Sequence, residues 1–385
     1  MLYHFDVMPD RRATESAKWK IYPADVLPLW VADMDVVSPE PVVRALQERV
    51  AHGVFGYPVE PPDLRDLLVA RMAERYGWSI QPDEIVFLPG VIVGFHLACH
   101  TLKQNGSALL CQPPVYPPIL HAAATTGMIA QEAALVQRAD GTFEIDFDAF
   151  EAAITAETRV FLLCSPHNPV GRVFRREELA RLAEICLRHG VAIVSDEIHC
   201  DLVFPEHPHI PIASLSPEVS QQAITLMAPS KTFNIAGLEC AFAIIQNAEL
   251  RRAYRHGTQG LVSGVNLLGW TAALAAYRDG QDWLTQVMAY FRENRDFLVD
   301  FVNRELPGVQ TTTPEGTYLA WLDCRATGLS DPYQFFLERA RVAMNDGKSF
   351  GRGGEGFTRI NFGCPRSVLE DGLNRMKAAL LSPER

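Results

Sequence analysis

Between residues 85 and 245 short runs of consecutive apolar residues alternate with stretches long enough to form helices, and this alternation constrains the fold more than any other feature of the chain. The runs fall at 85–88, 108–111, 159–164, 191–195, 224–228 and 241–245. Each is short and lacks the in–out alternation of a strand with one wet face, so each reads as a strand buried on both sides. Helical patterns at 91–104, 121–126 and 175–189 separate several of them. Parallel strands need crossovers of helix length, and these segments supply them. The expected fold class is therefore α/β, with a mainly parallel sheet covered by helices on both faces. Such sheets take their ligands beyond the carboxyl ends of the strands.

The chain of 385 residues is longer than one hydrophobic core usually organises, so a second domain is expected. A helical stretch over 265–306 leads into a C-terminal segment that ends in a helix at 367–381, and this part reads as a smaller α/β domain. The first 40 or so residues show little periodicity and read as an arm that packs elsewhere. The expected division is an arm and part of the small domain at 1–45, a large domain at 46–285 and the rest of the small domain at 286–385. The glycine-rich stretch 351–356 (GRGGEG) reads as a mobile loop.

The formal net charge of −11 argues against a nucleic-acid or anionic-membrane partner. No apolar run approaches the roughly 20 residues of a membrane span, and the N-terminus carries no apolar signal core. The eight cysteines form no CxxC pair, so no disulfide frame or metal site is expected. Reduced, buried thiols in a cytoplasmic protein are the plain reading.

Four segments carry the candidate chemistry: SPHNPVG (165–171), SDEIHCDLVF (195–204), APSKTFNIAG (228–237) and TRINFGCPR (358–366). Asn168, Asp196 and the Ser230–Lys231 pair each follow a predicted strand, where the topology puts a ligand. Gly90, Val91 and Ile92 open a predicted helix, whose free N–H groups and dipole suit a phosphate. A lone lysine after a strand is usually a solvated surface charge, and Asn-Pro is also a turn signal. The order Asn, Asp, Ser-Lys, Arg on an α/β scaffold is what changes the odds.

That order resembles fold-type I pyridoxal 5′-phosphate (PLP) enzymes of the aminotransferase class I/II superfamily, over nearly the whole chain. With WVADMD (30–35), FGYP (55–58), HNPVG, DEIH and SKTFN, the chain is similar to the cystathionine β-lyase-like C–S lyases, the MalY/PatB group. The resemblance implies that Lys231 forms a Schiff base with PLP and, once released, takes the Cα proton of an amino-acid substrate. It implies that Asp196 pairs with the pyridinium nitrogen, that Asn168 bonds the phenolic oxygen and lies near substrate, and that the Tyr116 ring stacks on the pyridine. Ser230 joins Gly90, Val91 and Ile92 at the phosphate, and Tyr57 reaches phosphate and substrate from a neighbouring subunit, making a homodimer part of the site. Arg359 clamps the substrate α-carboxylate through two parallel hydrogen bonds.

Two positions depart from ordinary aminotransferases. His199 stands where they carry a tyrosine three residues after the pyridinium Asp, and Glu239 stands where they carry a phosphate-binding arginine eight residues after the lysine. The C–S lyase group shares the His and lacks the Arg, so both departures favour it. The expected reaction is β-elimination from L-cystathionine or a related cysteine S-conjugate, giving a thiol, pyruvate and ammonia. The rivals are a PLP-dependent aminotransferase and a non-catalytic PLP-fold regulator that works by binding a partner.

Overall fold

A computed structural model describes residues 2–382. Its centre is a seven-stranded sheet built from β1 (Ile85–Leu88), β2 (Ala108–Cys111), β3 (Ile129–Glu132), β4 (Thr158–Cys164), β5 (Ala192–Asp196), β6 (Ala223–Met227) and β7 (Ala241–Ile244). The spatial order is β1-β7-β6-β5-β4-β2-β3. Every neighbouring pair is parallel except the two that β7 makes, which are antiparallel. The sheet is buried on both faces over its central strands because these are largely apolar. In β4, Phe161 and Leu163 enter one core, while Val160, Leu162 and Cys164 enter the core on the other side. This is the period-two geometry of a pleated strand.

The strand at 129–132 (IAQE) has no apolar run, which is why the sequence pattern does not show it. It lies at the sheet edge with most of its residues exposed, so no hydrophobic signal is required of it. Helices α1 (Glu40–Ala51) and α2 (Leu64–Tyr76) precede the sheet, and α3 (Val91–Leu102), α4 (Pro117–Thr126) and α5 (Arg176–His189) lie between its strands. The expected helix at 121–126 starts earlier, at Pro117, because proline is tolerated where the first-turn N–H has no helical acceptor.

The expected single helical stretch over 265–306 is two helices, α6 (Leu267–Asp279) and α7 (Gln281–Glu305), broken at Gly280. A Cβ on Gly280 would stand 2.4 Å from the Ala276 carbonyl oxygen and 2.8 Å from the Phe233 ring. The corner therefore seats tightly against the segment that carries Lys231. A second sheet of four strands, β8 (Gln310–Thr311), β9 (Leu319–Asp323), β10 (Asn345–Asp346) and β11 (Phe357–Asn361), has the order β8-β9-β11-β10 and is antiparallel in its ladders. The closing helix α8 spans Arg366–Leu381.

A third core joins the two ends of the chain. Phe5, Trp19, Leu27, Leu29, Met34 and Val36 are buried in one cluster with Trp283, Phe291, Leu319, Ile360 and Leu373. Leu27–Pro28 also pairs in parallel with Val342–Ala343. The glycine-rich 351–356 stretch is a tight turn rather than a free loop. Gly354 N–H donates to the Gly351 carbonyl at 3.0 Å, and a Cβ on Gly354 would collide with the Gly347 oxygen at 2.0 Å. All eight cysteines are free and buried. Among the described residues no helix is long and apolar enough to cross a membrane.

Candidate active site

The carboxyl ends of β1, β4, β5 and β6 deliver their polar residues to one cavity of about 570 Å3. Asp196 is the last residue of β5, Asn168 follows β4, and Ser230 and Lys231 sit in the short helix Pro229–Thr232 just after β6. Gly90 caps the N-terminus of α3, and Tyr116 caps that of α4. The small sheet closes the far side with Arg359 from β11 and Asn345 from β10, and the backbone of Trp30, Val31 and Ala32 lines the same space. Gly90, Val91, Ile92, Tyr116, Asn168, Asp196, His199, Ser230, Lys231 and Arg359 thus converge as the sequence pattern expects.

Tyr57 does not reach this cavity within one chain. It is fully exposed, on a segment where Val54, Phe55 and Val59 are exposed too. Glu239 lies exposed at the cavity's edge with a left-handed backbone at φ 53, and its carboxylate makes no hydrogen bond or ion pair among the described residues. No other cation than Lys231 and Arg359 lines the cavity among the described residues, so no arginine compensates for Glu239 there.

Buried charge without a matching partner defines the electrostatics. The Lys231 ammonium donates to the Ala32 carbonyl at 2.6 Å, and burial pulls its pKa down to about 8, with Arg359 acting in the same direction and Asp33 and Asp196 opposing. Asp196 accepts one backbone N–H, from Ile198 at 3.2 Å, and burial lifts its pKa to about 7 against that bond and the Lys231 charge. His199 is buried with no partner on Nδ1, and burial beside Lys231 and Arg359 drops its pKa to about 3, so its ring is neutral.

Arg359 is 4% exposed and meets no carboxylate. Its Nη1 donates to Asn168 Oδ1 at 2.8 Å, and its Nη2 donates to Asn345 Oδ1 at 2.6 Å and to the Trp30 carbonyl at 3.0 Å. The Nε–H has no partner, and the guanidinium lies 5.0 Å from the Phe350 ring. Burial lowers the pKa of this cation to about 10. An unsatisfied buried guanidinium is expensive, and an incoming carboxylate satisfies it.

These residues fit pyridoxal phosphate. Asp196 lacks a cation that a protonated ring nitrogen supplies, Tyr116 offers an aromatic face, and a Cβ on Gly90 would meet nothing within 4 Å, leaving the α3 N-terminus open to a phosphate. Sequence reasoning assigned no task to Trp30, Ala32 or Asn345. The first two act through backbone carbonyls, which side-chain chemistry cannot reveal, although the WVADMD motif marks the place. Asn345 sits outside every motif.

The family model for aminotransferase class I and II matches residues 24–376, and the chain belongs to that family. Cystathionine β-lyase PatB of Bacillus subtilis (strain 168) is 41% identical, over 98% of this chain and all of that protein. Among solved structures, the crystal structure of OvoB superposes with a TM-score of 0.95 at 43% identity, covering 99% of this chain and 100% of that one. The PLP-bound C–S lyase from Staphylococcus hominis superposes with a TM-score of 0.93 at 33% identity, with both chains fully covered.

Proposed function

We propose that this chain is a PLP-dependent carbon–sulfur lyase that cleaves L-cystathionine or a related cysteine S-conjugate by β-elimination to a thiol, pyruvate and ammonia. The observation that carries the reading is the buried, carboxylate-free Arg359 facing the depressed amine of Lys231 in one cavity, in a chain 41% identical to a cystathionine β-lyase. When bound, pyridoxal phosphate supplies an electron sink for negative charge released at the substrate's Cα.

The chain's own residues do the rest. Arg359, oriented by Asn168 and Asn345, takes the α-carboxylate and fixes the direction of the Cα–H bond. Lys231 anchors the cofactor and, once released, moves the Cα proton, a task suited to an amine with a pKa of about 8. Asp196 would hold the proton on the ring nitrogen, and Tyr116 would cover the ring. Asn168 would bond the ring's phenolic oxygen with neutral His199 in the same cavity, and Gly90, Val91, Ile92 and Ser230 would hold the phosphate with N–H and O–H donors.

Tyr57 joins the phosphate from a second copy of the chain. Its exposure beside Val54, Phe55 and Val59 supports a homodimer whose interface covers them. The division into a large domain at 46–285 and a small domain from 1–45 and 286–385 belongs to the same proposal, supported by the core that unites the chain's two ends. Eight free, buried cysteines support work in the cytoplasm.

The test is to give the cofactor-loaded protein L-cystathionine with no keto acid. Sustained release of pyruvate, ammonia and thiol is expected. Turnover that halts after one equivalent, leaving the cofactor aminated, would show an aminotransferase instead.

A further inference from the structure

The segment 29–36 is a strap whose two sides serve different ends. On the cavity side its carbonyls meet the reactive groups. The Ala32 oxygen receives Lys231 Nζ at 2.6 Å and the Tyr318 hydroxyl at 2.9 Å, and the Trp30 oxygen receives Arg359 Nη2 at 3.0 Å. Further bonds hold its course. Asn234, three residues after Lys231 and at φ 56, donates to the Met34 and Val36 carbonyls at 3.0 and 2.9 Å and accepts Met34 N–H at 3.0 Å. Asn361, two residues after Arg359, donates to the Asp33 carbonyl at 2.7 Å.

On its other side the strap drives carboxylates into a closed ionic cluster. Asp35 Oδ2 pairs with Lys18 Nζ at 2.6 Å, and its Oδ1 receives Arg11 Nη1 at 2.6 Å and Trp19 Nε1 at 2.8 Å. Asp33 Oδ2 pairs with Arg11 Nη2 at 2.6 Å. The Lys18 and Asp35 side chains are both 0% exposed. Two cations thus meet two anions with every short contact directional. A buried ion set adds little net stability over a well-packed apolar one, so what it contributes distinctively is geometry.

We infer that Asp35, with Lys18, Arg11 and Asp33, is a positioning device for the Lys231 amine, fixing the strap so that the Ala32 carbonyl receives that amine whenever the cofactor releases it. The inference rests on the reading of Lys231 as the group that moves the Cα proton. A lysine amine freed from its bond swings on a flexible four-carbon stem. With one N–H held by Ala32, a neutral amine keeps its lone pair directed away from that carbonyl, and the number of orientations it samples falls. Asp35 touches no reactant, so its effect passes entirely through the strap.

The test uses the cofactor-loaded protein and exchange of the Cα hydrogen of L-alanine into D2O, followed by NMR and expressed per bound cofactor. Alanine has no leaving group at Cβ, so exchange reports proton removal whether or not the protein is a lyase. Asp35→Asn is expected to slow saturated exchange by about tenfold or more, since sub-ångström misplacement of a reacting group has effects of this order. Half-saturation is expected to move much less, because Arg359 keeps Asn168 and Asn345. A merely structural Asp35 would reduce the cofactor-binding fraction and leave exchange per bound cofactor unchanged, which would overturn the inference.

Two milder variants decide the matter if Asp35→Asn does not fold. Lys18→Arg keeps the charge and should exchange within about twofold of the parent, while Tyr318→Phe removes the second donor on Ala32 and should slow exchange several-fold. Parent-like exchange in Tyr318→Phe overturns the inference. Exchange surviving in Lys231→Ala overturns both it and the role of Lys231, whereas cystathionine left uncleaved with exchange intact overturns only the lyase reading.

Discussion

Two groups of buried and half-buried charges flank the 29–36 strap, and they are satisfied in opposite ways. Under the strap, Arg11, Lys18, Asp33 and Asp35 pair among themselves at 2.6 Å, and the set is electrically neutral. In the cavity, Asp196 and Arg359 are buried and Lys231 is half-buried without any ion pair among them, and His199 keeps an unpartnered nitrogen. The consequence is visible in proton affinity: Asp196 rises to about 7, Lys231 falls to about 8, Arg359 to about 10 and His199 to about 3, each with burial as the leading cause. A fold tolerates such unmatched groups where something else completes them. The paired set defines a shape, and the unmatched set defines a binding site.

The contrast predicts that removing a cavity group costs chemistry with little loss of stability, whereas removing a cluster group costs stability in addition to the positioning of Lys231. The largest effect belongs to Lys231→Ala. Turnover of cystathionine should fall by about a hundredfold to ten-thousandfold, the range for losing a positioned acid–base group, and the visible absorbance of the loaded protein should disappear. Thermal unfolding without cofactor should change little, because the Lys231 amine has only the Ala32 carbonyl to lose. Retained turnover would remove the lysine from the mechanism.

Lys18→Met tests the other side. It strands part of the Asp35 charge in a site with no exposure, although Arg11 and Trp19 still hold one oxygen. Loss of one partner of a buried pair costs about 3–5 kcal/mol, and the retained contacts place this case near 3. Denaturant unfolding of the cofactor-free protein would show it as a lower midpoint with an unchanged slope. A neutral result would mean that water reaches the cluster and that the comparison above is too sharp.

The large sheet was legible because each of its central strands is a continuous apolar run. The edge strand Ile129–Glu132 was not, since it is mostly exposed and carries no such run. The site was legible wherever a side chain's chemistry is the function: Lys231, Asp196, Arg359 and Asn168 all reach one cavity. It was illegible wherever backbone does the work, as at Trp30 and Ala32, while Tyr57, expected from the family resemblance to act from a second copy, stands exposed on a single chain. Gly280 illustrates a third limit. A glycine inside a helical pattern shows only that something is close, and the Phe233 ring that requires it lies 47 residues away in sequence.

A smaller effect is expected from Arg359→Lys. The ammonium keeps the charge but cannot make two parallel bonds to a carboxylate or hold Asn168 and Asn345 together. The kcat/KM for cystathionine should fall by roughly fiftyfold to a hundredfold, or about 2–3 kcal/mol, mostly through KM. Amines without a carboxylate should bind the two proteins equally. Equal loss for both kinds of ligand would place Arg359 in a structural role.

The smallest effect is also the most discriminating, because its sign reverses with the cofactor. In the cofactor-free protein Asp196 has a raised pKa of about 7, against roughly 3.9 in the unfolded chain. Between those values the folded state holds a proton that the unfolded state has released, so stability falls as pH rises through that window and stays lowered above it. Asp196→Asn removes the group that titrates. The cofactor-free variant should therefore be more stable than the parent at pH 8, by about 2 kcal/mol, and no more stable at pH 4, where the carboxyl is largely protonated in the folded protein. With pyridoxal phosphate bound the order should invert, since the ring-nitrogen cation that satisfies the aspartate loses its counter-charge when the residue is an amide. Paired unfolding curves at the two pH values, with and without cofactor, test all four terms. If the variant is no more stable than the parent at pH 8 without cofactor, Asp196 is already satisfied in the empty protein. The cavity would then not be a set of unmatched charges, and its contrast with the closed cluster under the strap would fail.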